Sequence, residues 1–150
     1  MMSEQQGLTV IVKTVTRAIL AVIFLYGFYI ILHGHLSPGG GFGGGVVLAL
    51  GFLSVLLAYG RPAAQKWLNI RVLHSVESSG PLLLLALGLL GMAAGGVFLV
   101  NTLGKGRLFD LWSAGFILPL NIIIGGKVGL SLFLAVWALT EWDPEKGDDA

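Results

Sequence analysis

The sequence predicts an all-helical membrane protein that crosses the bilayer four times, and two observations support this prediction. Of the 150 residues, 55% are hydrophobic and only 11% are charged, whereas an average soluble domain has about 25% charged residues. The apolar residues also form four stretches, about as long as a helix that crosses a hydrocarbon layer about 30 Å thick. Because hydrocarbon offers the backbone no hydrogen-bond partner, and no alternating strand pattern is present, each stretch is predicted to be a helix. The four stretches are residues 14–32, 42–59, 81–100 and 117–139.

A glycine-rich segment follows the first span and is unlike any other part of the chain. It runs from His33 to Gly45 and places Pro38 just before a run of glycines around Phe42. Pro38 has a fixed φ angle and disfavours helix at the preceding residue, so we expect the first helix to end near His33 and the second to begin at or after Pro38. Within a membrane, glycines allow a neighbouring backbone to approach closely. Phe42 is therefore expected to fill space among the glycines.

The segment between the second and third spans is predicted to lie at the membrane surface. Gly60, Arg61 and Pro62 in succession are typical of the end of a helix. Residues 61–76 then combine cations with apolar residues at spacings of three, which is the pattern of a short interfacial helix. The third span is expected to begin at about Pro81.

The fourth span is less uniformly apolar in its first half, where Asn121 and Lys127 occur. Gly125 and Gly129 are four residues apart, so they share one helix face on which another helix can pack. The preceding segment, residues 101–116, is predicted to be a loop. The acidic tail, residues 141–150, is predicted to be mobile.

The distribution of Lys and Arg predicts the orientation in the membrane. Two of these cations lie on the side of the second loop, and Lys127 lies inside a span. Because cytoplasmic loops are enriched in Lys and Arg, both termini are predicted to be cytoplasmic. The side with the larger number of cations holds Lys13, Arg17, Arg61, Lys66, Arg71 and Lys146.

Lys127 is the strongest candidate for an ion path or a proton relay. A cation at the centre of an apolar helix costs about 2.5–3.5 kcal/mol on insertion scales, and such residues usually face a partner, a cavity or an ion path. A lysine that has lost its hydration also releases its proton more easily. The alternative is that Lys127 extends its side chain back to the outer surface and has no role in transport.

Glu77, near the cytoplasmic entrance of the third span, is a second candidate. His74 lies three residues before it and on the same helix face, so the pair could pass protons or attract a cation. The alternative is an anchor at the interface or a charge that complements the helix dipole. His33 and His35 flank the Pro38 turn. A metal site needs three or four ligands, so we expect no metal there and instead expect His35 to titrate at the outer surface.

The sequence contains no pattern of a catalytic centre. The chain has no cysteine, which excludes disulfides and cysteine catalysis. The glycine-rich segment lacks the Gly-Lys-Ser/Thr of a phosphate loop, and no serine–histidine–aspartate arrangement is visible. A formal net charge of +1 gives no argument for nucleic acid as a partner. We therefore expect no enzyme activity and no cofactor in this chain.

Two segments carry motifs of a known family. One is His35–Phe42, which reads HLSPGGGF, and the other is Pro119–Gly129, which reads PLNIIIGGKVG. Together with Glu77 they resemble the MnhB component of the multisubunit Mrp-type sodium/proton antiporters, over roughly residues 14–140. The matching positions are His35, Pro38, Gly39, Gly40, Gly41, Phe42, Asn121, Gly125 and Lys127.

The resemblance implies a small, multi-pass subunit of a large assembly in the cell (inner) membrane that exchanges cytoplasmic sodium for external protons. Na⁺ and H⁺ would be the transported ions, and the partners would be other membrane subunits and the lipid bilayer. Similar subunits also occur in membrane-bound hydrogenases and related respiratory complexes, so the same module in a redox-driven complex is one alternative. A second alternative is a scaffold that packs other subunits and carries no ion.

Overall fold

Five helices make up the part of the chain that the computed structural model describes, which is residues 9–36, 38–101, 106–107 and 112–141, the last for its backbone alone. All except the short third helix are long and apolar enough to cross a membrane. No strand occurs among the described residues, so the predicted all-α class with four spanning helices is confirmed. The helices are α1 (Val10–Leu32), α2 (Gly40–Tyr59), α3 (Arg61–Trp67), α4 (Ile70–Gly95) and α5 (Ile117–Glu141).

Two of the predictions concern segments that lie wholly or partly outside the described residues. The acidic tail beyond residue 141 is one of them, and its predicted mobility stays a prediction. Of the loop that precedes α5, the structure describes residues 106–107 and the turns at 112–116.

The turn between α1 and α2 lies where Pro38 and the glycines predict it. α1 ends at Leu32, with His33 as its C-terminal cap, and α2 begins at Gly40. Gly39 and Gly40 have φ angles of 111° and 52°, a region that glycine enters without the clash that a Cβ atom would cause. These two residues allow the chain to reverse sharply, so that α2 returns alongside α1.

α2 is the central helix of the bundle, with α1 on one side and α5 on the other. Small residues permit both contacts. A methyl group on Gly44 would collide with the side chain of Ile31 on α1, and one on Gly45 would lie 2.6 Å from the carbonyl oxygen of Gly125 on α5. Without side chains at these positions, the backbones of the helices approach closely, which increases van der Waals contact in a setting where lipid supplies no hydrophobic driving force.

Phe42 does not fill space among these glycines. Its side chain is 63% exposed in this chain, so the expectation that it packs there is wrong. The reason is the helical period, because α2 directs Gly41, Gly44 and Gly45 towards its neighbours and leaves Phe42 on another face.

The segment after α2 differs from the single interfacial helix predicted for residues 61–76. It consists instead of α3, which ends at Trp67, and the first turns of α4, which begins at Ile70. Asn69 caps the new helix, since its Oδ1 accepts a hydrogen bond from the backbone N–H of Val72 at 3.4 Å. The second half of the predicted interfacial helix is therefore continuous with the third spanning helix.

The third spanning helix also has bounds that differ from the predicted 81–100. Pro81 does not start the helix but lies inside it. It lacks the N–H that would donate to the carbonyl of Glu77, four residues earlier, and membrane helices tolerate such prolines where neighbours support the opened turn. The helix ends at Gly95, before Val100, because Gly96 adopts the left-handed conformation at φ 74° that terminates many helices.

One end of the bundle is held together by contacts between helix ends. The guanidinium of Arg61 lies 4.8 Å from the ring centre of Trp137 and donates to the carbonyl of Thr140 at 3.2 Å. The hydroxyl of Tyr59 donates to the carbonyl of Lys13 at 3.1 Å. These contacts place the start of α1 and the ends of α2 and α5 at the same end of the molecule. The buried cluster at this end comprises Leu56, Ala64, Phe133, Leu134 and Trp137.

Candidate ion-path site

Glu77 and Lys127 are in direct contact, although 50 residues separate them in sequence. The Nζ of Lys127 on α5 lies 2.6 Å from the Oε1 of Glu77 on α4. At this distance the ammonium donates a charge-assisted hydrogen bond to the carboxylate. The sequence analysis considered the two residues as separate candidates, and the packing of α4 on α5 joins them.

Ser131 is the third member of this group, and the sequence analysis did not identify it. Its Oγ donates to Glu77 Oε1 at 2.7 Å and accepts from Lys127 Nζ at 3.2 Å. Ser131 follows Lys127 by four residues, which puts both on one face of α5, and this spacing is the signal that could have found it. We call these three residues the Glu77–Lys127–Ser131 cluster.

The side chain of Lys127 extends towards the C-terminal end of α5. Side chains on a helix usually lean towards its N-terminus, yet Nζ bonds Ser131, which lies one turn further along the chain. Lys127 is well inside α5, about 15 Å from Ile117 at 1.5 Å of rise per residue. The arrangement in which Lys127 reaches back to the start of α5 is therefore not the one in the structure.

Gly80 allows α4 to come close to the stem of Lys127. It is buried, and a Cβ atom at this position would lie 3.1 Å from Lys127 Cγ and 3.2 Å from Lys127 Cβ. Gly80 follows Glu77 by three residues, so the two face α5 together. The aliphatic part of the lysine thus packs on a glycine while its ammonium reaches the carboxylate.

A groove of about 260 Å³ lies beside the cluster, and His74 lines it together with Glu77 and Ser131. His74 lies near the start of α4, so the groove extends from the cluster towards that end of the helix. Both donors to Glu77 use Oε1, and Oε2 accepts no hydrogen bond from the described residues. The side chains of Lys127 and Glu77 are 36% and 22% exposed in this chain. The cluster is therefore accessible from the groove.

The two sequence motifs meet at a second place, near the α1–α2 turn. A methyl group on Gly41 would lie 2.6 Å from the carbonyl oxygen of Asn121. One turn further along both helices, Gly129 lies against the backbone of Gly45, with 3.1 Å between a Cβ atom at Gly129 and the carbonyl oxygen of Gly45. The motif residues thus meet mainly through their backbones, which explains why glycine occupies these positions.

The histidines of the turn are not part of the cluster. The ring of His33 stacks on Tyr29, with ring centres 4.3 Å apart, and its Nδ1 lies 3.1 Å from the carbonyl oxygen of the same tyrosine. His35 lies in the turn itself and is half-buried. Within the described ranges, no three His, Cys, Asp or Glu side chains are grouped as a metal ion would require. The predicted titration of His35 stays a prediction.

Residues 11–134 match the family model described as a domain related to the MnhB subunit of the Na⁺/H⁺ antiporter. The chain belongs to the MnhB family. It is 34% identical over 107 residues to the corresponding Na⁺/H⁺ antiporter component of Bacillus subtilis, and the match covers 71% of this chain and 74% of that relative. It is 33% identical over 138 residues to an uncharacterized protein of Methanocaldococcus jannaschii, with 88% of this chain and 52% of the relative covered.

A solved structure shares the fold of this MnhB-family chain. It is that of the membrane-bound sulfane sulfur reductase, an archaeal respiratory membrane complex, one chain of which matches with a TM-score of 0.72 and 34% identity. The match covers 85% of this chain and 56% of that chain. The protein thus spans about half the length of the archaeal relatives. Family membership and the four spanning helices identify it as a multi-pass membrane protein.

Proposed function

We propose that this chain is a small membrane subunit of a multisubunit cation/proton antiporter in the cell membrane and contributes to Na⁺ translocation coupled to H⁺ movement. Membership of the MnhB family supports the class of assembly. The observation that carries a direct role in ion movement is the Glu77–Lys127–Ser131 cluster. It places an acid and a base 2.6 Å apart between two helices that are apolar enough to span the membrane.

The cluster holds its charges together only while both groups are ionised. A proton that moves from Lys127 Nζ to Glu77 Oε1 leaves two neutral groups and removes the attraction between them. A cation that arrives at Glu77 competes with the ammonium for the same carboxylate. Either event frees Lys127 to move, since its flexible stem packs on Gly80 and not on a bulky side chain. The groove beside His74 supplies the approach to Glu77.

One such cluster does not bridge a hydrocarbon layer about 30 Å thick. Other membrane subunits must supply the remainder of the path, and we propose that they cover the open side of the α4–α5 groove. In this proposal the chain moves ions within an assembly and performs no chemical reaction of its own. Na⁺ and H⁺ are its transported ions, and it needs no cofactor.

Replacing Lys127 tests this function. In membrane vesicles that contain the whole assembly, we expect Lys127→Leu to reduce Na⁺-driven proton movement by at least about tenfold, equivalent to roughly 1.4 kcal/mol in the rate-limiting barrier. Lys127→Arg keeps the charge and should retain more activity. Lys13→Leu is the matched control, because it removes a lysine outside the cluster. Normal transport by an assembled Lys127→Leu complex would instead support a scaffold that carries no ion.

A second candidate function is the same module within a redox-driven complex, and the likeness to the sulfane sulfur reductase complex favours it. The test is to tag the chain, extract it gently from its own membrane and identify every chain that co-purifies by mass spectrometry. Only antiporter-like membrane subunits are expected for a stand-alone antiporter. Companion chains with metal-cluster motifs would show that electron transfer drives the module.

A further inference from the structure

A second groove, of about 610 Å³, lies where α3 meets α4 and is lined by residues 65–71. Leu68 has an extended backbone between the two helices, so the chain changes direction there. Polar and charged side chains contribute much of the lining. We call this feature the α3–α4 groove; its lining residues are distinct from those of the groove beside the Glu77–Lys127–Ser131 cluster.

Two cations flank the α3–α4 groove. Lys66 lies in the last turn of α3 and Arg71 in the first turn of α4, and both are exposed. Neither side chain forms an ion pair or a hydrogen bond with any residue that the structure describes. Arg61, at the start of α3, is engaged instead with Trp137 and Thr140. The groove thus presents two positive charges that are available to an anion.

The position of the groove along the bundle is that of a membrane surface. It follows the end of α2 at Tyr59 and precedes the start of α4, and both helices are long enough to span. Trp67 lies beside the two cations with 65% of its surface exposed, and its ring centre is 5.8 Å from that of Tyr59. Trp and Tyr favour the level of the lipid headgroups, where an apolar ring and a polar edge are both accommodated.

We propose that the α3–α4 groove binds the phosphate-bearing headgroup of an anionic phospholipid. The guanidinium of Arg71 suits the paired oxygens of a phosphate, and the ammonium of Lys66 adds a second charge. The exposed ring of Trp67 provides an apolar surface for the glycerol and the upper acyl chains. Free phosphate shares the charge but has no group that would occupy this ring, and for that reason we assign the groove to a lipid.

Lipid retention by the purified assembly tests the proposal. The assembly is exchanged into detergent that contains either phosphatidylglycerol or phosphatidylcholine with identical acyl chains, and bound lipids are counted by native mass spectrometry. We expect an excess of retained phosphatidylglycerol. The double variant Lys66→Gln/Arg71→Gln should bind this lipid about 30-fold more weakly, because each cation near a membrane surface contributes about fivefold.

Matched variants separate the groove from the general charge of the surface. Lys13→Gln/Arg17→Gln removes the same charge from α1 and should leave phosphatidylglycerol binding within about twofold. The exchange Lys66→Arg/Arg71→Lys keeps both charges and should keep the lipid. Equal retention of the two lipids, equal losses in the two double Gln variants, or displacement of phosphatidylglycerol by inorganic phosphate would each overturn the proposal. None of these measurements depends on ion transport.

Discussion

At the scale of single residues, one carboxylate oxygen organises the cluster between α4 and α5. Glu77 Oε1 accepts hydrogen bonds from both Lys127 and Ser131, so each charge has a partner in a region where unpaired charges are costly. The ionic side chains are half-buried, and the solvent that reaches them screens their attraction. Their pairing is therefore expected to matter more for where the charges sit than for the total stability of the bundle.

Removing one member of the pair is expected to cost more than half of the cost of removing both. Glu77→Gln and Lys127→Met should each destabilise the protein by about 1–2 kcal/mol, because each leaves the other group without its partner. The double variant should cost less than the sum of the two single changes. Thermal unfolding of the purified protein in detergent gives these differences. Strictly additive costs would show that the two side chains do not interact.

At the scale of the elements, glycine determines which helices can be neighbours. Gly45 and Gly125 let α2 and α5 approach until backbone atoms touch, and Gly80 does the same for α4 beside Lys127. Gly43 and Gly126 occur in the same helices, but a Cβ atom at either position would meet no atom within 4 Å. The chain thus contains both essential glycines and matched controls for them.

Alanine substitutions should separate the two kinds of glycine. We expect Gly45→Ala and Gly125→Ala each to destabilise the bundle by about 1–3 kcal/mol, because the added methyl group must displace backbone or a packed side chain. Gly43→Ala and Gly126→Ala should change stability by less than about 1 kcal/mol, in the stabilising direction, since Ala is the better helix former. The melting temperatures of the four purified variants provide the comparison. Similar losses at all four positions would contradict close packing as the cause.

At the scale of the whole molecule, the bundle is asymmetric. α2 is enclosed by α1 and α5, whereas α4 packs mainly on α5 alone. The Glu77–Lys127–Ser131 cluster therefore lies at the edge of the bundle, where a neighbouring subunit can reach it. This arrangement suits a subunit that completes a path with its partners better than one that encloses a path of its own.

The orientation of the whole bundle is predicted from its charges and can be measured directly. A fluorescent protein fused to the C-terminus should be active, and alkaline phosphatase at the same place should be inactive, because cations favour the cytoplasmic side. Phosphatase inserted into the turn at His35 should give the opposite result. An active phosphatase at the C-terminus would reverse the orientation and place the α3–α4 groove on the outer surface.

Local chemistry alone determined several features of this protein. The four spanning helices follow from runs of apolar residues, and the α1–α2 turn follows from the restricted φ angle of Pro38 and the freedom of Gly39 and Gly40. The family motifs could also be recognised from sequence. These features depend on residues that are close together in the chain, so no knowledge of the packing was needed.

Tertiary structure alone decided the composition of the candidate site. Glu77 and Lys127 were both visible as candidates, but their contact required knowing that α4 packs on α5. The continuation of α4 through Pro81 likewise overrode a local signal for a helix start, because packing on a neighbouring helix can support a turn that lacks one hydrogen bond. Ser131 gained a role only through that same contact. Pairings between distant residues depend on which helix faces meet, and local sequence preferences do not specify that choice.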